Sequence, residues 1–284
     1  MSSIRKAQLA GAWYPGNASA LKVLLESYQD YADSLPKPTG RPFAAIAPHA
    51  GWLFSGRLAF AALKNSKAFF GDSEPKLVLV LGGHLGEGNP ILAYRESGWE
   101  TPLGTLETAP ELNETLSEQG FPLKLWSGPT NDNTIEVMLP LIKAVFPQAR
   151  VWPLRVPPDE TALRLGRYLA ERRQADEFIL ASTDLTHYGR AYGFAPAGSG
   201  APGEEFRRRN DLRFIEPALA LNAPAMLEAG EVDRAACSAG AAAAAGAAAA
   251  ELGANSLLLD HYSSADVSPG EQSVGYCSIA YSLA

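Results

Sequence analysis

The sequence predicts a single α/β domain, residues 1–284, in which a central mixed and largely parallel sheet is flanked by helices. Short apolar runs typical of buried strands alternate along the chain with segments whose apolar residues recur at helical spacing. No internal repeat and no linker divides the chain. With 284 residues, 46% of them hydrophobic and 19% charged, the chain can bury a substantial core.

The N-terminal segment is rich in turn-forming residues and carries two adjacent aromatic residues, Trp13 and Tyr14. Their side chains either cover an edge of the core or line a pocket. Asn17 or Ser19 can then cap a helix, since apolar residues recur at helical spacing until Pro36 stops the pattern.

Three predicted strands each lead into a loop that contains a histidine. The strands are Phe43–Ala47, Leu77–Leu81 and Phe178–Ser182. The histidines that follow them are His49, His84 and His187, three of the four in the chain. One strand-end histidine is more often a hydrogen-bonded structural residue than a ligand, but three of them favour one shared site. Open α/β sheets bind their ligands at the carboxyl ends of the strands, where these loops are expected to meet.

The remaining elements complete an alternating pattern of strands and helices. They are a crossover helix over Ser55–Asn65, a hairpin between Ile91 and Thr108, a helix that starts near Asp132, a strand over Val151–Val156, a helix over Thr161–Arg173, a helical excursion over residues 203–230, and strands at Leu257–Leu259 and Val274–Ala280 with His261 and Asp266 in the loop between them. We expect Asn133 to cap the helix near Asp132 and Glu136 to return a capping-box bond. The alternative places Glu136 in the site.

Composition and charge exclude several classes of function. The net charge of −7 and the pI of about 5.2 argue against nucleic-acid binding, which needs clustered Lys and Arg. The N-terminus lacks the apolar core of a signal peptide, and two cysteines cannot build a disulfide framework. The apolar segment Ala235–Ala250 is nearly all Ala and Gly, which predicts a tightly packed buried helix rather than a membrane span. A cytoplasmic protein without membrane attachment is expected.

Two imidazoles and one anionic ligand form the donor set of mononuclear iron sites and related sites that keep open positions. His49 and His84 can supply the imidazoles. The anion is either Cys237, which would favour copper(I) or zinc, or Asp184, which would favour iron(II). Cys237 begins the Ala/Gly helix, whose positive end would lower the thiol pKa. The other reading of this cysteine is a small buried hydrophobic residue, as we expect for Cys277.

Asp184 and His187 are three residues apart and would share a face in a helical turn, where the carboxylate could orient or charge the imidazole. We expect this pair to act as acid and base beside the metal. A metal-free alternative makes Cys237 a nucleophile, His187 its base and Asp184 the orienting group. That alternative leaves His49 and His84 without a role.

Together these motifs resemble the Memo family, whose prokaryotic members include the AmmeMemoRadiSam system protein B. The segments that carry the resemblance are Ala10–Pro15, Ala47–Trp52, Gly82–His84, Thr101–Gly104, Ile135–Val137 with Leu139–Pro140, Ser182–Gly189, the Cys237 helix start, and Ser273–Tyr276. This family is similar in fold to the class III non-heme iron extradiol dioxygenases. The resemblance implies that His49 and His84 are metal ligands, that Cys237 stands where those dioxygenases use a glutamate, and that His187 is the acid/base residue, accompanied by Asp184.

The resemblance also implies cofactors and partners. Members have been associated with copper or iron binding and redox activity, and animal members with phosphotyrosine peptides. We therefore expect iron or copper as cofactor, with zinc in purified protein, a small-molecule substrate or short peptide, and radical SAM system proteins as partners. The favoured hypothesis is a redox or dioxygenase-like metalloenzyme, an iron- or copper-dependent oxidoreductase. The alternative is a non-catalytic binding module that uses the cleft for a peptide or an anionic ligand.

Three positions depart from the family pattern. Asn133 stands where a histidine is usual, Ser238 follows Cys237 in place of a glycine, and His261 occupies a position that is commonly tyrosine. The first two replacements are expected to alter the pocket.

Overall fold

The computed structural model describes residues 3–70, 74–128, 130 and 132–284, so that Met1 and Ser2 of the N-terminal segment lie outside it. The helices are α1 (Ala18–Ser27), α2 (Gln29–Ser34), α3 (Trp52–Lys67), α4 (Leu112–Glu118), α5 (Leu139–Val145), α6 (Glu160–Arg172), α7 (Ala201–Leu219), α8 (Ala223–Glu231), α9 (Ala239–Glu251) and α10 (Ser264–Val267). The strands are β1 (Ile4–Arg5), β2 (Arg41–Ala47), β3 (Leu77–Gly82), β4 (Ile91–Tyr94), β5 (Gly98–Trp99), β6 (Leu106–Glu107), β7 (Leu123–Trp126), β8 (Arg150–Arg155), β9 (Glu177–Ser182), β10 (His187–Tyr188), β11 (Asn255–Ser263) and β12 (Ser273–Leu283).

In the described part of the chain, nine strands form one sheet in the order β10-β12-β2-β9-β3-β8-β4-β7, with β11 paired to β12. The four central strands β2, β9, β3 and β8 run parallel to one another. Strand β12 joins β2, and β4 joins β8, in antiparallel fashion. The predicted α/β class with a mixed, largely parallel sheet is confirmed.

Side chains of the central strands alternate between two hydrophobic layers, as the two-residue period of a strand requires. Ala45 and Val80 pack with residues of α1, α3 and α5 on one face. Ile46 and Leu79 pack with residues of α6, α7, α8 and α9 on the other face. Because both faces are covered, the strands read as continuous apolar runs, and this explains why they were recognisable in the sequence.

The Ala/Gly segment forms helix α9, and all of its residues from Ala239 to Ala249 are buried. Small side chains allow close contact with neighbouring backbone: a Cβ atom on Gly166 of α6 would lie 2.3 Å from the carbonyl oxygen of Ala244. The prediction of a tightly packed buried helix is confirmed. No helix among the described residues is long and apolar enough to cross a membrane.

Several local predictions are confirmed and others are wrong. The side chain of Asn17 caps α1 by accepting a hydrogen bond from Ala20 N. The predicted hairpin forms about the turn after Trp99, where β5 and β6 pair antiparallel beside β1 in a small separate sheet, whereas β4 joins the main sheet. His261 lies within β11 and not in the connection, whereas Asp266 lies between the last two strands as predicted, but in the short helix α10.

The capping-box prediction for Glu136 is wrong. Asn133 makes no side-chain cap, and Glu136 begins a short 3-10 turn, Glu136–Met138, that precedes α5. The buried Glu136 carboxylate instead accepts hydrogen bonds from Gln8 N and Leu9 N, both at 2.6 Å, and from the Tyr14 hydroxyl at 3.0 Å. This carboxylate therefore fastens the N-terminal segment to the domain. Local spacing mimics a capping box, but the backbone donors come from a distant part of the chain.

Replacing Glu136 with alanine is expected to destabilise the protein by about 3 kcal/mol, because two part-buried backbone N–H groups and a buried tyrosine hydroxyl would lose a charged acceptor. Glu136→Gln keeps one acceptor oxygen and should cost about 1 kcal/mol. Urea unfolding measures both changes, and limited proteolysis should cut the alanine variant first between residues 8 and 14. Equal stability of the two variants would contradict this role.

Candidate metal centre

The order of the central strands brings the predicted site residues together. Strands β2 and β3 lie on either side of β9, and all three run parallel. Their carboxyl ends therefore meet at one edge, where the His49 and His84 rings stand edge to face with centroids 5.2 Å apart. The prediction that these two histidines share one edge of the sheet is confirmed.

His49 is 1% exposed and is held from several sides. Its backbone N–H donates to Asp184 Oδ1 at 2.8 Å, and its carbonyl oxygen accepts from Asn133 Nδ2 at 3.0 Å. Its Nδ1 lies 2.7 Å from the Ser182 hydroxyl, while its Nε2 lies 3.2 Å from Cys237 Sγ. A hydrogen bond at Nδ1 orients the ring and leaves Nε2 for a ligand or a metal.

His84 follows β3 in a left-handed backbone conformation, with φ of 59°. Its Nδ1 lies 3.3 Å from the buried carboxylate of Asp132, so Nε2 is the nitrogen that remains for a metal. Burial by itself would lower the pKa of His84, but Asp132 and Cys237 outweigh it and raise that pKa to about 10. The ring is therefore surrounded by groups that stabilise positive charge.

Cys237 lies two residues before the first residue of α9, so it does not begin that helix as predicted. Its sulfur accepts a hydrogen bond from Asp184 N at 3.3 Å. Burial by itself would raise the pKa of the thiol, but the imidazoles of His49, His187 and His84 hold it well below its usual range. Neighbouring histidines, rather than the helix end, favour the thiolate that a metal ligand must be.

Among the described residues, His49, His84 and Cys237 form a cluster whose potential ligand atoms all lie within 4.8 Å of one another. Such spacing allows one ion to contact two imidazole nitrogens and one sulfur. Asp184 is not part of this cluster, and its Oδ1 is bonded to the N–H groups of His49 and Ala50. Of the two anions considered from the sequence, the cysteine completes the triad.

Asp184 and His187 do not share a helical turn as predicted. Residues 183–186 have no regular structure, and His187 begins β10, which pairs with β12. The closest atoms, Asp184 Oδ2 and His187 Nε2, are 3.9 Å apart, and His187 Nε2 has no hydrogen-bond partner. The two groups are adjacent without a direct hydrogen bond, and Nε2 is itself buried, while the His187 side chain as a whole is 34% exposed.

A cleft of about 580 Å³ opens above these residues. Trp13, Phe54 and Tyr192 line it together with His49, His84, Asp184 and His187, and the Tyr192 ring lies 5.0 Å from that of His187. Of the two roles considered for the N-terminal aromatics, Trp13 lines the cleft while Tyr14 is buried against Trp52. No Lys or Arg lines the cleft within the described ranges.

The three departures from the family pattern have different consequences. Asn133 lines the cleft and supports His49 through its carbonyl oxygen. The Ser238 side chain has room because it faces Gly83, where an added Cβ would come within 2.6 Å of Ser238 Cβ. His261 lies outside the cleft, and its Nε2 contacts the buried Asp211 carboxylate at 2.8 Å.

Sequence reasoning missed the residues that support this site from behind. Ser182 contacts His49, Asp132 contacts His84, and Asp211 accepts a hydrogen bond from Thr186 N in the loop that carries Asp184 and His187. For Ser182 the signal was a polar residue at the last position of an apolar strand. For Asp132 and Asp211 no local pattern pointed to the site.

Comparison with known proteins agrees with this geometry. The sequence model of the family described as Memo-like protein matches residues 5–280. A MEMO1 family protein of Thermococcus onnurineus is 31% identical over 296 residues, which cover 98% of this chain and 99% of that protein. A MEMO1 family protein of Pyrococcus furiosus is 30% identical over 291 residues, which cover 97% of this chain and 98% of that protein.

In fold, the chain is similar to an uncharacterized protein of Escherichia coli K12, whose crystal structure matches with a TM-score of 0.54 at 13% sequence identity. That match covers 84% of this chain and 99% of the other. At this identity the likeness concerns the fold alone. The family match along nearly the whole sequence and the relatives at 30% identity or more carry the assignment, and the chain belongs to the Memo family.

Proposed function

We propose that this protein is a redox metalloenzyme that binds one metal ion through His49, His84 and Cys237 and acts on a small molecule in the cleft. The clustering of the three potential ligand atoms within 4.8 Å carries this proposal. The donor set also bears on the metal. Two imidazoles and a thiolate suit copper, whereas non-heme iron(II) sites more often combine two histidines with a carboxylate. The donors therefore favour copper over iron.

A bound copper or iron ion would supply one-electron redox chemistry at the base of the cleft. The chain itself would handle protons. The His187 side chain is 34% exposed and borders the cleft, so it is positioned to give a proton to a substrate or to take one from it. The buried carboxylate of Asp184 lies 3.9 Å from His187 and would stabilise its imidazolium form. The backbone N–H groups of His49 and Ala50 donate to this carboxylate and keep it in place.

The lining of the cleft distinguishes between the expected kinds of ligand. Recognition of a phosphate or of an acidic peptide usually requires Arg or Lys, and none lines the cleft in the part of the chain that the structure describes; Arg234 borders only the smaller pocket beside Cys237 and His187. The cleft instead offers aromatic surface from Trp13, Phe54 and Tyr192, and the carboxylate of Asp184 adds negative charge. These features support an uncharged small molecule over the anionic ligand of a binding module.

Metal binding is tested by elemental analysis of protein purified without an affinity tag, followed by anaerobic titration with copper(I) and iron(II) against competing chelators. We expect about one ion per chain. The protein should bind copper(I) more tightly than iron(II). Tighter binding of iron(II) would overturn the choice of copper. Absence of metal in the purified protein, together with no uptake of either ion, would overturn the metalloenzyme proposal.

His187→Asn tests the acid/base role. Removing the imidazole should lower turnover by about 10² to 10⁴ while leaving metal content unchanged, because His187 is outside the ligand triad. The measurement is the steady-state rate of the metal-loaded protein on a substrate returned by a screen of small molecules with dioxygen. His261→Gln is the matched control, since His261 does not line the cleft and a glutamine amide can still donate to Asp211. Equal rates for wild type and His187→Asn would exclude this role, and binding without turnover in wild type would favour the non-catalytic module.

A further inference from the structure

A carboxylate with no part in the proposed chemistry lies directly behind His84. The Asp132 side chain is 4% exposed, and its Oδ2 is 3.3 Å from His84 Nδ1 and 3.2 Å from Arg155 Nη2. Its other oxygen, Oδ1, accepts hydrogen bonds from the Thr134 backbone N–H at 3.2 Å and from the Thr134 hydroxyl at 2.6 Å. Oδ1 is therefore hydrogen-bonded, whereas Oδ2 is held by its charge between the His84 imidazole and the Arg155 guanidinium without a hydrogen bond of regular geometry.

The partners of Asp132 also hold the backbone that carries His84. Arg155 Nε donates to the Gly83 carbonyl at 2.8 Å, and Arg155 Nη2 donates to the His84 carbonyl at 3.3 Å. Gly83 N donates to the Thr134 hydroxyl at 3.1 Å. Asp132, Thr134 and Arg155 thus form one connected group, which we name the His84 clamp.

Two further observations indicate that the clamp holds a strained backbone. His84 has a positive φ of 59°, a conformation that is uncommon for residues other than glycine and that persists where surrounding contacts enforce it. The preceding glycines leave no space for a side chain, since an added Cβ on Gly82 would lie 2.2 Å from Thr134 Oγ1 and one on Gly83 would lie 2.6 Å from Ser238 Cβ. The contacts enclose this loop on two sides.

We propose that Asp132 is the positioning residue for His84, with its carboxylate accepting the Nδ1 proton so that Nε2 faces the metal. Arg155 balances the buried negative charge. Ser182 has the corresponding position at His49, where its hydroxyl contacts Nδ1 at 2.7 Å. This inference rests on the proposed metal site and adds a residue whose loss should weaken metal binding without removing a ligand.

The test uses Zn²⁺ as a redox-inert probe, titrated against a chromophoric chelator, so that it does not depend on any enzymatic activity. We expect Asp132→Ala to bind Zn²⁺ about 10- to 100-fold more weakly than wild type, as is typical when the hydrogen-bond partner of a ligating histidine is removed. Asp132→Asn should lie between the two, since its amide oxygen can still accept from Nδ1 but carries no charge. This isosteric variant also keeps the test valid if Asp132→Ala does not fold.

Glu177→Ala is the matched control for structural damage. It also removes a buried carboxylate that pairs with an arginine, Arg172, at 2.7 Å, but Glu177 is the first residue of β9 and lies at the strand end opposite to the site. We expect this variant to melt at a lower temperature than wild type while its affinity for Zn²⁺ changes by less than about threefold, because no contact of the His84 clamp is lost. Loss of stability should therefore occur in both variants, and loss of affinity only in Asp132→Ala.

Co²⁺ loading gives a second readout, because ligand-field and thiolate-to-metal absorption bands report the coordination geometry. Asp132→Ala should shift these bands, while Glu177→Ala should retain the wild-type spectrum. Wild-type affinity and spectrum in Asp132→Ala would overturn the inference and leave the proposed metal site intact. Equal losses of affinity in Asp132→Ala and Glu177→Ala would also overturn it, as a general structural effect. A wild-type protein that binds neither ion would overturn both proposals.

Discussion

Replacing Cys237 with alanine is expected to reduce the metal content from about one ion per chain to below about 0.1, because the triad would lose its thiolate and its negative charge. Loss of a partner behind a ligating histidine already weakens metal binding by about 10- to 100-fold, and loss of a ligand should exceed that range. The measurement is elemental analysis of wild-type and variant protein prepared side by side, together with the affinity for copper(I).

The second cysteine provides a control within the same chain. Cys277 is fully buried in β12, and burial raises the pKa of its thiol, so it has no tendency to form a thiolate. Cys277→Ala should keep the metal content of wild type. Equal loss in both variants would mean that damage to the fold, rather than removal of a ligand, releases the metal. Retention of metal in Cys237→Ala would show that another anion, with Asp184 the nearest candidate, can complete the site.

Gly166→Leu should lower the free energy of unfolding by about 3 kcal/mol or more, because overpacking at a helix contact forces the backbone to move. Gly166 lies in α6 against α9, where an added Cβ would be 2.3 Å from the Ala244 carbonyl oxygen and 2.6 Å from Ala247 Cβ. For a chain of this size the melting temperature should fall by roughly 6–12 °C. Calorimetry and urea unfolding measure the change.

Glu171→Leu places the same side chain on the exposed face of α6 and should change stability by no more than about 0.5 kcal/mol. Similar melting temperatures for the two variants would contradict the close contact between α6 and α9. Because Cys237 precedes α9 by two residues, displacement of this helix should also weaken Zn²⁺ binding in Gly166→Leu. Unchanged affinity would show that the metal site does not depend on this packing.

The sequence was sufficient to predict the central strands, because strands covered on both faces appear as apolar runs such as Leu77–Leu81. It also predicted that His49 and His84 share one edge, since parallel strands place their carboxyl ends on the same side. Helix α9 was recognisable from its composition, because the small side chains of Ala and Gly let a helix pack closely against neighbouring backbone.

Predictions failed where a side chain bonds to a distant segment. Glu136 had the spacing of a capping box, yet its carboxylate accepts from Gln8 and Leu9, more than 120 positions away in sequence. Asp184 and His187 had the spacing of a helical turn, but pairing of β10 with β12 determines the backbone there. Local periodicity cannot identify such partners, because their energy depends on which chain segments meet after folding.

The sequence by itself determined the alternation of strands and helices and the histidines at the strand ends, because hydrophobic period and chain breakers act over a few residues. Only the tertiary structure decided between Cys237 and Asp184 as the third member of the triad. That choice depends on hydrogen bonds that occupy Asp184 Oδ1 and on imidazoles that surround the Cys237 sulfur. The tertiary structure likewise placed Asp132 behind His84, because hydrogen bonds and charge act over a few ångströms in space, whatever the separation along the chain.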